Sequence, residues 1–339
     1  MSNLNRISIV ILTASFLFSK MPDAISQNGM VVSSNKIASE IGVQILEDGG
    51  NAIDAAVAVG FALAVVHPGA GNIGGGGFMV VRFNDGTSTT IDFRETAPSM
   101  SSKDMFLDDK GDVVEDKSWS TSFAVGVPGT VAGLGYAHEK YGSKRWSSLV
   151  SPAIKVARFG HEIDYLNYLL LNSPYYKSFL SNDPETKSIF YKDSGFQIGD
   201  NFIQEDLAQT LSRISSYGYR EFYSGKTADL IIECMDRTDG LISYLDLANY
   251  KPIERQPIEF YYRDSKVITM PPASSGGIVL AEILNQLENL DMNEIPYHSA
   301  EHIHYMAEVE KRAYADRAEI LGDSDFIDIP IDSLVSDDY

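Results

Sequence analysis

Four places in this sequence bring together side chains or backbone able to do chemistry. The first is the run Gly74 to Gly77, preceded by Gly69-Ala70-Gly71-Asn72-Ile73 and followed fifteen residues on by Asp92-Phe93-Arg94-Glu95. Glycines lack Cβ, so a ligand can approach the backbone, and a run of unpaired N–H groups forms a concavity that receives anions. Two β-rich runs, Phe78 to Phe83 and Thr87 to Phe93, flank Asp85-Gly86 and read as a hairpin. With a two-residue turn, Asn84 faces Thr87 and Gly77 faces Arg94. A guanidinium beside that glycine run would offer a planar fork suited to a carboxylate. The same residues allow a second reading, in which the glycines permit close packing of a helix on a sheet and Arg94 pairs with Asp92 or Glu95.

The other three places carry less. Gly69-x-Gly71-x-x-Gly74 matches a dinucleotide-binding string, but that chemistry needs a strand before the glycines and a helix after them. Here the order is helix, glycines, strand, which excludes it. His298-Ser299-Ala300-Glu301-His302 matches an inverted zinc-peptidase string, which needs both histidines on one helical face. Ser299 is the expected N-cap, leaving His298 outside the helix, so no metal site is expected. Ser274-Ser275-Gly276-Gly277 is either an anion site at a helix start or a serine-capped helix. The single cysteine, Cys234, sits in an apolar stretch and reads as a small buried hydrophobe, with no internal disulfide available.

Asn51 caps a helix running through alanines and valines to Val66 and stopped by Pro68, apolar on nearly every side and therefore internal. Val127-Pro128-Gly129-Thr130 opens a second helix that closes at Tyr141-Gly142. Residues 150 to 250 read as mainly helical, Lys266 to Met270 as a strand, and Ile278 to Leu290 as an amphipathic helix. A last helix runs from about Ala300 to Leu321, and its Glu308, Arg312, Asp316 and Arg317 read as solvent-facing or interface ion pairs. Hairpins and helices without regular βαβ spacing make the class α+β.

The chain has 339 residues, 44% apolar and 22% charged, enough for a substantial core in one large domain or two closely apposed lobes. A net charge of −20 without a basic stripe excludes nucleic acid and anionic membrane surfaces as partners. Arg6, the apolar run Ile7 to Phe18 and the triplet Ala24-Ile25-Ser26 have the layout of a secretory signal peptide over residues 1–26, too short to span a bilayer. The expected mature domain is 27–339, periplasmic or secreted, without stable membrane insertion.

Five segments resemble, in order, the large-subunit motifs of γ-glutamyltransferases: Asn72 to Met79, Asp92 to Pro98, Pro128 to Gly133, Met270 to Gly277 and Ala313 to Arg317. The resemblance implies an N-terminal-nucleophile hydrolase, of which this chain forms the outer helical layer and one sheet of an αββα sandwich lacking the small-subunit strands. It implies a self-cleaving precursor, a small subunit from the same precursor as partner, and no cofactor. The new N-terminal Thr of that subunit, its own α-amine acting as base, attacks γ-glutamyl amides such as glutathione. The glutamyl group passes to water or an amino acid. The resemblance makes Arg94 the group that binds the glutamyl α-carboxylate.

The nucleophile of that family lies at a Thr-Thr-His-type junction past Tyr339, so no catalytic residue is expected in this chain and the chain alone is expected to be inactive. The pair Thr89-Thr90 falls inside the hairpin and lacks the histidine. A cephalosporin acylase or polyglutamate-handling relative shares the scaffold, and a non-catalytic periplasmic anion-binding module is the reading from another class.

Overall fold

The structure, a computed structural model, describes residues 24–339, so the signal-peptide expectation lies almost wholly outside the described residues. Helix α1 (Lys36–Glu47) starts where the Asn35 side chain accepts from the Ile37 N–H at 2.9 Å. Helix α2 (Ala52–Val66) starts with a reciprocal cap. Asn51 Oδ1 accepts from the Asp54 N–H, and Asp54 Oδ2 accepts from the Asn51 N–H. Asp54, 0% exposed, also accepts from Ser143 and from the Lys144 N–H, which ties the cap to the end of a later helix. Burial pushes this carboxyl up, but the hydrogen bonds from Ser143, Asn51 and Lys144 outweigh it and hold it below the ordinary aspartate value. As expected, α2 is internal, with Val57, Phe61, Val65 and Val66 fully buried.

Strand β1 (Phe78–Arg82) pairs antiparallel with β2 (Ser88–Asp92), and the register corrects the expected hairpin by one residue. Phe83 N–H donates to the Thr87 carbonyl at 2.8 Å, and the loop is the three residues Asn84-Asp85-Gly86. Gly86 has φ +89°, the left-handed residue that completes a three-residue hairpin loop. Asp85 Oδ1 accepts from both the N–H and the hydroxyl of Thr87, fixing Thr87 as the first paired residue. Gly77 therefore faces Phe93, with which it exchanges both backbone hydrogen bonds, and not Arg94.

Helices α3 (Thr130–Tyr141) and α4 (Trp146–Phe159) pack with α2. The middle region is helical as expected, through α5 (Tyr165–Asn172), α6 (Pro174–Leu180), α7 (Pro184–Phe190), α8 (Glu205–Tyr217), α9 (Glu221–Ser224), α10 (Lys226–Thr238) and α11 (Tyr244–Asn249). It also holds a two-residue pairing, β3 (His161–Glu162) with β4 (Asn201–Phe202), too short for a periodicity to announce. Strand β5 (Ile253–Arg255) joins β2 to complete the sheet order β1-β2-β5. Strands β6 (Ile258–Tyr262) and β7 (Ser265–Thr269) form a hairpin under α12 (Gly276–Glu288). Helix α13 (Ala300–Ile320) packs on α12, and the short α14 (Ile331–Leu334) closes the described chain. The main core gathers α2, α3, α4 and the sheet, while Ile258, Phe260, Ile278, Ala281, Ile329 and Leu334 form a second core. The result is the helix-rich α+β fold expected. No helix among the described residues is long and apolar enough to cross a membrane.

Helix α3 is bolted to the sheet through Glu254 of β5. Its carboxylate accepts from the hydroxyls of Thr89, Tyr136 and Tyr141 at 2.7, 2.8 and 2.5 Å, and from the Lys140 ammonium. Burial pushes the carboxyl up, but these donors outweigh it and bring it down to about 2 from an ordinary 4.5. A carboxyl depressed in the folded state contributes stability above its unfolded value and loses it as pH falls through its folded value. Urea unfolding across an acid series should therefore show stability declining from pH 4.5 towards about 2, and Glu254→Gln should flatten that limb. An unchanged acid limb in the variant would contradict this role.

Candidate functional site

Two N–H groups of the glycine run have partners within the protein. Gly75 N–H donates to Asn72 Oδ1 at 2.8 Å, and Gly77 N–H donates to the Phe93 carbonyl at 3.3 Å. The Thr130 hydroxyl shares Asn72 Oδ1, and the N–H groups of Gly129 and Thr130 donate to the Gly75 carbonyl, so the start of α3 is tied to the glycines. A Cβ on Gly77 would lie 2.7 Å from the Phe93 ring, and one on Gly129 or Gly133 would overlap Phe93 itself. These glycines exist to let α3 and the glycine turn close around Phe93. Packing around Phe93 accounts for Gly77, Gly129 and Gly133.

Because side chains alternate across an extended segment, Phe93 buried inwards leaves Arg94 pointing out. The Arg94 side chain lines a cavity of about 570 Å³, with Glu95, residues 272 to 275 ahead of α12, and Arg317, Ala318, Leu321, Gly322 and Asp323 at the end of α13. Its backbone is held at both ends. The Arg94 N–H donates to Asp92 Oδ1 at 3.0 Å, and its carbonyl accepts from the Tyr250 hydroxyl at 2.8 Å. Tyr250 stacks on Tyr223 at 5.7 Å, and Tyr223 in turn donates to the Pro128 carbonyl and accepts from the Ala132 N–H. Burial pushes the Tyr250 phenol up, which keeps it a donor.

The expectation that Arg94 could pair with its own hairpin's acids fails for a specific reason: Asp92 is taken. Arg255 Nε donates to Asp92 Oδ2 at 2.9 Å, and the remaining guanidinium nitrogens form a fork on Asp325 at 2.8 and 2.7 Å. The two Asp325 bonds, then Asp92, hold Arg255 protonated well above its ordinary range, while Arg255 pulls Asp325 down. Among the described residues Arg94 forms no ion pair with Asp92 or Glu95.

The Ser274-Ser275 turn serves the same cavity. Ser275 is the N-cap of α12 but makes no cap hydrogen bond, and its hydroxyl instead accepts from Arg317 Nε at 3.0 Å. Arg317, assigned from sequence to a surface ion pair, thus closes one cavity wall. The Glu308–Arg312 pair does lie on the surface of α13 as expected. Arg255, Tyr250 and Asp325 had no local signal, since their partners are distant in sequence.

The remaining candidates separate from this site. Ser299 caps α13 by accepting from the His302 N–H at 3.1 Å, and His298, at φ +61°, lies outside the helix. Among the described residues no group of three or more His, Cys, Asp or Glu is spaced to hold a metal. Cys234 is half-buried, on α10. Thr89 and Thr90 are buried strand residues whose hydroxyls donate to Glu254 and to the Arg255 carbonyl. The cavity lining presents the guanidinium groups of Arg94 and Arg317, the hydroxyls of Ser274 and Ser275, and the carboxylates of Glu95 and Asp323.

The helix-rich α+β fold carries a glycine turn, an Asp-Phe-Arg segment and a Pro-Pro-Ala-Ser-Ser turn, the last two of which line one cleft. A family model described as gamma-glutamyltranspeptidase matches residues 38–339, and the chain belongs to that family. It is 47% identical over 315 residues to the glutathione hydrolase proenzyme of Pseudomonas sp. (strain A14), covering 93% of this chain and 55% of that protein. The identity to the glutathione hydrolase proenzyme of Escherichia coli (strain K12) is also 47%, over 317 residues, covering 93% and 54%. The solved gamma-glutamyltranspeptidase of Helicobacter pylori is similar with a TM-score of 0.91 and 45% identity, covering 94% of this chain and 91% of that chain. The chain spans about half the length of the curated relatives it matches.

Removing Arg255 leaves Asp92, only 7% exposed, as an uncompensated buried carboxylate. Arg255→Ala should cost about 3 kcal/mol in urea unfolding, and adding Asp92→Ala should return part of that loss. Simple addition of the two single losses would contradict the pairing.

Proposed function

We propose that this chain supplies the substrate-gripping part of a γ-glutamyl acyl-transfer site, with Arg94 binding the α-carboxylate of the glutamyl group. The observation that carries the reading is that Arg94 bounds the cavity with a guanidinium unclaimed by its neighbours, while Arg255 neutralises the hairpin acid. An outward fork free of its own acids is what recognition of a planar carboxylate requires.

In the complete protein, the nucleophile is an N-terminal Thr belonging to the part of the relatives' length that these 339 residues do not span. The Thr hydroxyl oxygen adds to the γ-carbonyl carbon as its proton passes to the α-amine. The amide C–N bond then breaks, the departing amine takes the proton, and an ester to the Thr remains. Water or the amine of an amino acid releases the glutamyl group from that ester. Glutathione is a substrate of this type, and the partner is the small subunit of the same precursor. The N-terminal signal-like layout favours export to the periplasm or medium, and the 339-residue chain alone is inactive on this reading.

In the matured two-subunit protein, Arg94→Ala should raise KM for γ-glutamyl-p-nitroanilide by a factor reflecting a contact worth about 2 to 4 kcal/mol. Because one pKa-sized step of about 1.4 kcal/mol is tenfold, that range is roughly 30-fold to several hundredfold. An unchanged KM would remove Arg94 from the site. Absence of both precursor cleavage and p-nitroaniline release would leave only a non-catalytic anion-binding module.

A further inference from the structure

The cavity that Arg94 lines holds a second guanidinium. Arg317 lines it from the last turn of α13, whereas Arg94 comes from the segment after β2. One edge of the Arg317 group is engaged: Nε donates to the Ser275 hydroxyl at 3.0 Å, and the group lies 5.8 Å from the centre of the Tyr314 ring one turn back. Among the described residues neither terminal nitrogen of Arg317 makes a hydrogen bond or an ion pair. The acids near it on the chain are occupied elsewhere, Asp316 by the Tyr339 hydroxyl at 3.1 Å and one oxygen of Asp323 by the Asp325 N–H at 3.0 Å.

An arginine that ties elements together ends on carboxylates, as Arg255 does on Asp92 and Asp325. Arg317 ends on a hydroxyl. That leaves its two terminal nitrogens, the edge that pairs with a carboxylate through two parallel hydrogen bonds, without a partner in the wall of a cavity. One carboxylate offers two oxygens, and a bidentate contact with Arg94 engages both. Two forks in one cavity therefore suit a ligand with two carboxylates. A cavity of about 570 Å³ is roughly 10 Å across, and an extended γ-glutamyl amino acid separates its two carboxylate carbons by about 9 Å.

We propose that Arg317 is a specificity-determining residue of this cleft, receiving the free carboxylate of the amino acid joined to the glutamyl γ-carbonyl. The inference rests on the γ-glutamyl reading of the Arg94 site and adds a substrate class to it: γ-glutamyl amino acids with a free carboxylate are taken ahead of the corresponding amides. The same contact serves the transfer direction, in which an amino acid held by its carboxylate presents its amine to the glutamyl ester.

The test measures kcat/KM of the matured two-subunit protein for γ-glutamylmethionine and for its C-terminal amide, with wild type and with Arg317→Ala. Wild type should favour the free acid, and the substitution should shrink the acid-to-amide ratio by roughly 10-fold to 150-fold, the worth of hydrogen bonds to a charged group. Any intrinsic difference between the two leaving amines is present in both proteins and cancels in that comparison. A ratio that the substitution does not change, whether both donors lose equally or neither loses, overturns the proposal.

Should Arg317→Ala not fold or mature, Arg317→Lys decides, because it keeps the charge and removes the fork. A reduced acid-to-amide ratio in that variant upholds the proposal, and an unchanged ratio overturns it. The two readings fail separately. Arg94→Ala on γ-glutamyl-p-nitroanilide, whose leaving amine carries no carboxylate, reads the glutamyl grip alone, whereas the Arg317 ratio compares two donors with the same glutamyl end.

Discussion

The Asp92 carboxylate sits at the end of β2, 7% exposed, where one oxygen holds the Arg94 N–H and the other takes the Nε of Arg255. A buried carboxylate there is tolerable only because a guanidinium and a backbone donor both reach it. Arg255 then extends the link to Asp325 with a two-bond fork, so β2, β5 and the loop after α13 are joined through one cation. The cavity lined by Arg94 lies between two of those three elements, and its shape follows from the same link. The arrangement also satisfies Asp92, and Arg94, whose N–H it holds, lines the cavity.

A second constraint works from the other side of the strand. Phe93 is enclosed by Gly77, Gly129 and Gly133, none of which could carry a Cβ without meeting it. With Phe93 locked inward, strand alternation leaves Arg94 one direction to point. Tyr250 then fixes the Arg94 carbonyl, and its stacking on Tyr223 carries that restraint down to the start of α3. A short polar segment is thereby held by packing on one face and hydrogen bonds at both ends, which is how a rigid scaffold presents a binding side chain.

Much of the helical frame was legible because its signals are local. The Asn51 and Asp54 cap, Pro68, Gly142 and Ser299 each act within a few residues of the element they delimit. Arg94 was legible as a residue type in a motif, and it stands two residues past the end of β2. The hairpin register was not, because the choice between a two-residue and a three-residue loop turned on the left-handed Gly86 and the Asp85 to Thr87 bonds. The Arg255 link was also invisible, as Asp92 lies 163 residues from its partner and no periodicity connects them. The place of Arg317 in the cavity was not legible from spacing either, since a helix pattern reads it as solvent-facing and only the packing of α13 on α12 brings it to Ser275.

The central claim, that the Arg94 guanidinium grips the glutamyl α-carboxylate, is tested most directly by changing both partners of that contact. In the matured protein, kcat/KM is measured for a γ-glutamyl anilide and for its α-carboxamide analogue, with wild type and with Arg94→Ala. The account predicts that the carboxamide and the substitution each cost a similar factor and that combining them costs little more than either alone, because both remove the same interaction. Two independent losses that multiply in the combination would contradict it and place the carboxylate against some other group.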